Sequence, residues 1–330
     1  HRSGRRDGGA RSGRQDDTTE VAAMDGLAPG RGLGDFPTRR PVVVGVDGTE
    51  GALRAVEWAA READRTGRPL LVVRAVLWNA RDTGEHPLTA ATARARQVAP
   101  GLPVRATTLR EDPGDALPHA AAHAALLTVG TGGHHGVLAD MLRGSVGLAV
   151  ASRADCPVVV VPETVGEPVG GPGRAPEVVL GVGERDHAAA ARFAAEAAVR
   201  RGCALRAVAA WQSPPLGVGD VPVDAAEWRL VYRDRAERAL DTALGPVTAT
   251  HPGLTVLRHT EEGNSSHALL TAAERATLLV VGAGREATGR PGPHLGGVAR
   301  SVLHRARCPV AVVPDTEADA AAGPAAAEAA

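Results

Sequence analysis

Pro41–Trp58 reads PVVVGVDGTEGALRAVEW. Val42–Val46 is a continuous apolar run, the pattern of a strand buried on both faces in a parallel sheet. Asp47-Gly48-Thr49 then turns the chain. Leu53, Val56, Ala60 and Ala63 recur at helical spacing and predict a helix over roughly Gly51–Arg65. Gly67 stands where a glycine ends a helix. Working outward, Leu70–Val76 reads as a second strand and Leu88–Val98 as a short helix. Val104–Leu109 reads as a third strand, Asp115–Ala125 as a helix and Leu126–Val129 as a fourth strand. A glycine-rich loop, Gly130–Gly136, follows. Gly144–Ser152 begins another helix, and Val158–Val161 is a fifth strand. Alternating strands and helices predict an open, mostly parallel five-stranded α/β sheet with helices on both faces and right-handed crossovers.

The chain then says nearly the same thing again. Glu177–Phe193, EVVLGVGERDHAAAARF, echoes the opening stretch. Leu278–Pro314 echoes Leu126–Pro162, including its closing CPVVVVP as CPVAVVP. A repeat of this length is a whole small domain rather than a solenoid unit. The expected organisation is a tail over 1–40, a first domain over 41–163, a Gly/Pro-rich linker over 164–176, a second domain over 177–315 and an Ala-rich tail over 316–330. The arginine-bearing first tail has no apolar period and reads as disordered. Equivalent positions differ by 135 after the second strand and by 152 from Pro100 onward, so the first copy is 17 residues shorter there. Its second helix is expected to be truncated, against a full one over roughly Ala225–Leu244 in the second copy.

Composition narrows the chemistry. Apolar residues make up 44% and charged residues 23% of the 330, and the net charge is −1. That balance gives no general attraction to nucleic acid or to an anionic membrane, so neither is expected as a partner. No apolar run reaches membrane-spanning length and no secretory leader is evident. Three scattered cysteines, Cys156, Cys203 and Cys308, suit neither a disulfide framework nor a zinc site, and the expected location is the cytoplasm. All 37 basic residues are arginine. Without lysine there is no Walker A loop, no Schiff base to pyridoxal phosphate and no protein-kinase strand lysine.

In an open parallel sheet, ligands sit beyond the carboxyl ends of the strands. Asp47, the loop Gly130-Thr131-Gly132-Gly133 and the helix start at Gly144-Ser145 all belong there. Glycines admit a polyphosphate close to backbone N–H groups, and a helix N-terminus adds donors and partial positive charge. Ser145 can cap the helix or donate to a phosphate, and Asp47 can accept from a ribose or an adenine. The same spacing also describes a tight turn and an ordinary capped helix. His119 and His123, four apart on a helix, form a candidate metal pair with no third ligand in view. No residue stands out as a general base, so catalysis is left open.

These motifs together resemble the universal stress protein family in its tandem-domain form. The likeness rests on VVVGVDGTEGALRAVEWAAREA, the G-x2-G…G-S loop and CPVVVV, and it spans both repeats. It implies two tandem Rossmann-like domains of the adenine nucleotide α-hydrolase type and ATP as ligand, alone or with Mg2+. It further implies that Gly130, Gly133, Gly144 and Ser145 hold phosphates and ribose, with Val146 following in the loop. Asp47 would contact ribose or adenine, and Val46, Val76 and Val129 would line the adenine pocket. The family signature is G-x2-G-x9-G-[ST]; here ten residues separate Gly133 from Gly144. The second copy departs further, with Gly183 for Asp47, Arg285 for Gly133 and Gly297 for Ser145. It is expected to fold without binding nucleotide and to pair with the first domain, within one chain or in a homodimer. A stress-response regulator that binds ATP is the leading expectation. The alternative is an interaction scaffold of the same fold with no nucleotide, and a third reading is an ATP-pyrophosphatase-like enzyme.

Overall fold

A computed structural model describes residues 39–77, 86–132, 145–163, 175–183, 188–212, 225–284 and 294–314. The Ala-rich tail, residues 1–38 of the first tail and most of the linker lie outside these residues. The first repeat supplies β1 (Val42–Val46), α1 (Glu50–Thr66), β2 (Leu70–Ala75), α2 (His86–Val98), β3 (Val104–Leu109), α3 (Pro113–Ala120), β4 (Leu126–Gly130), α4 (Ser145–Arg153) and β5 (Val158–Val161). The second supplies β6 (Glu177–Val182), α5 (Ala188–Arg201), β7 (Ala204–Trp211), α6 (Ala225–Thr250), β8 (Val256–Glu262), α7 (Ser265–Ala273), β9 (Ala276–Gly282), α8 (Gly297–Arg305) and β10 (Val310–Val313).

All ten strands form one sheet in the order β3-β2-β1-β4-β5-β10-β9-β6-β7-β8. Within each half every pairing is parallel. The halves meet along a single antiparallel seam, where Val310, Ala311 and Val312 of β10 face Val160, Val159 and Val158 of β5. Each half is thus the open parallel sheet read from the sequence. Their fusion into a continuous sheet explains why β5 and β10, VVVV and VAVV, carry only apolar residues. An unpaired apolar edge of that kind invites aggregation, and here each edge covers the other.

Side chains alternate across the sheet. Val42, Val44 and Val46 enter a core layer with α1, α2, α5 and α6. Val43, Leu71 and Val73 enter the opposite layer with α3, α4, α7 and α8. Alanine dominates the buried helix faces, as Ala55, Ala59, Ala60 and Ala63 show on α1. Such short side chains bring helices close to the sheet, which suits a chain with 2% aromatics. Among the described residues no helix is long and apolar enough to cross a membrane.

Two helix ends lie well away from the sequence reading, each for a tertiary reason; the others shift by at most two residues. α3 stops at Ala120, not Ala125. The Ala125 N–H donates to the Pro41 carbonyl at 2.8 Å, which sets Leu126 opposite Val42 at the start of the β1–β4 ladder. The chain must therefore leave the helix early. α6 runs past Leu244 to Thr250 and contains Pro246. Val247 is buried in the core there, and Thr248 Oγ1 donates to the Leu244 and Gly245 carbonyls. These contacts outweigh the bond that proline cannot make. α2, with 13 residues against 26 in α6, is the truncated helix.

Candidate functional site

The strand ends of the first half converge on one rim of the sheet. Val46, the last residue of β1, is buried, and the chain leaves it through Asp47 and Gly48, whose φ of 89° lies in the left-handed region. The Asp47 Oδ1 accepts from Thr49 N at 3.0 Å and from Thr49 Oγ1 at 2.6 Å. Thr49 in turn caps α1, its Oγ1 accepting from Ala52 N at 3.2 Å. Asp47 is exposed and held in one orientation by these bonds. Its Oδ2 has no donor among the described residues. The partnership was legible in principle: Thr three residues before the first buried turn is an N-cap signal.

β4 ends one strand away. Val129 is buried, Gly130 is in register with Val161, and Thr131 N donates to the Val161 carbonyl at 2.9 Å. A Cβ on Gly130 would lie 2.4 Å from the Gly51 carbonyl oxygen. A Cβ on Gly51 would lie 2.3 Å from the Thr131 carbonyl oxygen. The start of α1 is therefore pressed onto the end of β4, backbone on backbone, and both glycines are required for it. Gly51 gave no signal in the sequence, because a glycine in a helical stretch announces its reason only through its neighbour.

Gly132, at φ 102°, has the Glu163 carboxyl group within 3.4 Å of where a Cβ would stand. Glu163, not singled out from the sequence, puts a negative charge beside the loop. α4 begins at Ser145, and Gly147 in its first turn packs toward Val160 and Val129. That contact brings the helix N-terminus to the end of β4. Val146 is 41% exposed. Val76, half-buried one strand beyond β1, donates its N–H to the Leu109 carbonyl at 2.9 Å. Thus Val46, Asp47, Val76, Val129, Gly130 and Val146 share the rim. Gly133 and Gly144 lie outside the described residues, and of Ser145 only the backbone is described.

The corresponding strand ends of the second half differ among the described residues. Gly183 stands where the first half has Asp47. Gly296 caps α8 without a side-chain bond, and its own N–H donates to the Ala283 carbonyl at 2.9 Å. Gly284, at φ 61°, sits against Gly296, whose Cα is 3.5 Å from where its Cβ would stand. Ala283 and Leu295 are buried. A backbone donor at this helix start is already spent inside the protein. Arg285 lies outside the described residues.

Other candidates resolve simply. His119 Nδ1 pairs with Glu111 Oε1 at 3.0 Å on the surface. Among the described residues no group of three or more His, Cys, Asp or Glu is placed to hold a metal. Cys156 and Cys308 are buried, and burial pushes each thiol up to about 12 from 9.0. At pH 8 their thiolate fraction is on the order of 10³-fold below that of an unburied cysteine. Native protein treated with a chromogenic disulfide at pH 8 should therefore react first at half-buried Cys203, and release the other two only on denaturation. Because the unfolded thiols ionise near 9.0 and the folded ones near 12, these two groups make stability fall as pH rises from about 9 toward 12.

Comparison with known proteins agrees with both halves. A model of the universal stress protein family matches residues 38–162 and again 176–314. Universal stress protein Rv1996 of Mycobacterium tuberculosis is 32% identical over 310 residues, covering 83% of this chain and 95% of the relative. Universal stress protein Rv2005c of the same organism is 30% identical over 292 residues, covering 82% and 96%. Among solved structures, PA1789 of Pseudomonas aeruginosa, a protein described as functionally unknown, superposes with a TM-score of 0.58 at 15% identity, covering 86% and 95%. A universal stress protein from Archaeoglobus fulgidus gives 0.52 at 17% identity, covering 84% and 97%. Two matches of one family model, relatives of 30% and 32% identity matched over nearly their full length and the doubled open sheet lead to one conclusion: the chain belongs to the universal stress protein family and carries its unit twice.

Proposed function

We propose that the first half binds ATP and that the second half serves as its pairing partner, the whole acting as a regulatory protein in a stress response. The observation that carries this reading is the difference at the first strand ends: the first half presents a carboxylate at Asp47, fixed by Thr49 beside the glycine-lined end of β4, where the second half has Gly183. Asp47 takes the ribose or adenine, and its orientation by Thr49 lowers the cost of that contact. Val46, Val76 and Val129 form the apolar side against the adenine. Gly130, Gly133, Gly144, Ser145 and Val146 bring backbone donors and the α4 N-terminus to the phosphates. Glu163 repels a bare polyphosphate, so the nucleotide enters with Mg2+. ATP needs no lysine here, because backbone dipoles and the metal carry the charge.

ATP with Mg2+ at about 100 times its dissociation constant should stabilise the wild type by about 2.7 kcal/mol. Gly144→Arg, which fills the cradle, should lose that gain while unfolding at the same denaturant concentration without ligand. Absence of any gain in the wild type would leave the scaffold reading, which the ten-residue spacing between Gly133 and Gly144 favours.

A further inference from the structure

The seam between the halves is not the same from both sides. At its centre Val159 faces Ala311; these positions are equivalent in the repeat, so a local two-fold axis passes between them. α1 and α5 are related by this axis. Each is followed by a left-handed glycine, Gly67 at φ 59° and Gly202 at φ 60°. Aligned on those glycines, Trp58 matches Phe193, Glu62 matches Ala197, Arg65 matches Arg200 and Thr66 matches Arg201.

The charges do not obey this symmetry. Glu62 is buried, with 3% of its surface exposed, yet both of its oxygens are engaged from across the seam. Arg201 Nη2 donates to Oε2 at 2.7 Å and Arg200 Nη2 to Oε1 at 3.4 Å. Arg65, on the same helix, lies at 3.8 Å. The Arg201 side chain is 8% exposed. It also donates to its own helix at the Ala197 carbonyl, at 3.2 Å, and lies 5.8 Å from the centre of the Trp58 ring. Arg200 reaches back to Glu196 at 3.2 Å. At the equivalent place on the other side of the axis, Ala197 is buried and offers no charge. One acid, from one half only, serves the buried Arg201 of the other and shares half-buried Arg200 with Glu196.

We propose that Glu62 makes the seam selective for unlike halves: the second half accepts a first half and rejects a copy of itself. Two second halves joined by the same seam would bury both copies of Arg201 against Ala197 and Phe193 with no carboxylate in the place of Glu62; Glu196, 47% exposed, stays with Arg200. Arginine cannot shed its proton, so the pair would have to bury charge uncompensated. Two first halves are disfavoured less steeply. Each Glu62 would meet Arg65 and uncharged Thr66, and would lose the shorter of its two cross-seam bonds. The second half is therefore a dedicated partner for the first, not a general pairing module, and chains do not polymerise by trading like halves.

Cysteines on the axis report the pairing directly. Facing residues of an antiparallel seam are within disulfide reach. Val159→Cys/Ala311→Cys should close a link within one chain on mild oxidation. Ala311→Cys alone should give no linked pair of chains beyond the parent protein, which carries Cys156, Cys203 and Cys308. Moving the acid, in Glu62→Ala/Ala197→Glu, gives two second halves the carboxylates they lack. In that background Ala311→Cys should link chain to chain, with the balance shifted on the order of 10²-fold. Interchain linkage by Ala311→Cys with Glu62 in place would overturn the proposal, as would its absence from the folded Glu62→Ala/Ala197→Glu protein. A second measurement guards against a variant that does not fold. The 159–311 link should weaken in Glu62→Arg and return in Glu62→Arg/Arg201→Glu, and failure to return would equally overturn it.

Discussion

Glu62→Ala should destabilise the protein by about 3–5 kcal/mol, the range for removing one partner of a buried ion pair. The size comes from what is left behind. Arg201 keeps its charge, loses its 2.7 Å partner and stays almost wholly buried. Burial already pulls its pKa below the usual arginine value, and the Glu62 charge is the largest influence holding it up. Arg200 loses the same carboxylate and retains Glu196, which is half in solvent. To rehydrate the guanidinium groups, α5 must draw back from α1. Urea unfolding of the single variant, set beside Glu62→Ala/Arg201→Met, checks the cause. The double variant removes both charges and fills the space with an apolar side chain, so it should recover most of the loss. Equal losses in both would mean that packing around Trp58, and not the stranded charge, sets the cost.

Gly130→Ala should cost about 3 kcal/mol, at the upper end for overpacking a tight site. The added methyl group would stand 2.4 Å from a carbonyl oxygen and 2.6 Å from a carbonyl carbon of Gly51. Backbone cannot rotate aside as a side chain can. The N-terminus of α1 would have to lift from β4, which also disturbs the Thr49 cap and the orientation of Asp47. Gly51→Ala should cost a similar amount, since its methyl group meets the Thr131 carbonyl oxygen at 2.3 Å. Two further substitutions calibrate the scale. Gly181→Ala meets side chains rather than backbone, the movable tip of Leu269 at 2.9 Å and Val281 Cγ1 at 3.2 Å, and should cost less. Gly101→Ala meets nothing within 4 Å and should be near neutral. Denaturant midpoints for the four variants test the order. A mild Gly130→Ala would mean that this contact can relax, and that the glycine is there for another reason.

Much of this architecture could be read in the residues, and what could not has a common cause. Val42–Val46 announced itself because a strand buried on both faces must be apolar throughout. The doubled motif and the short α2 followed from counting between Pro100 and its echo at Pro252. What the sequence did not disclose depends on something distant along the chain. Ala125 ends a helix because it bonds to Pro41. Val247 prolongs one because the core reaches it past a proline. Gly51 is small because Gly130 is beside it. Glu62 resembles any charged helix residue three places before an arginine, and only the second half makes it a buried one. The seam left a trace that could have been used: two four-residue apolar strands, each ending its domain with an edge in need of cover. In the candidate site, the strand-end residues and Thr49 are placed at one rim, whereas Gly133 and Gly144 fall outside the described residues.

The antiparallel seam sets the direction in which the molecule can act. Strands β1 to β5 point one way and β6 to β10 the other, so the two rims look out from opposite poles. A macromolecule docking at one pole approaches from the side opposite the other. Among the described residues, the valine ladder and the Glu62 clasp at the waist join the two poles.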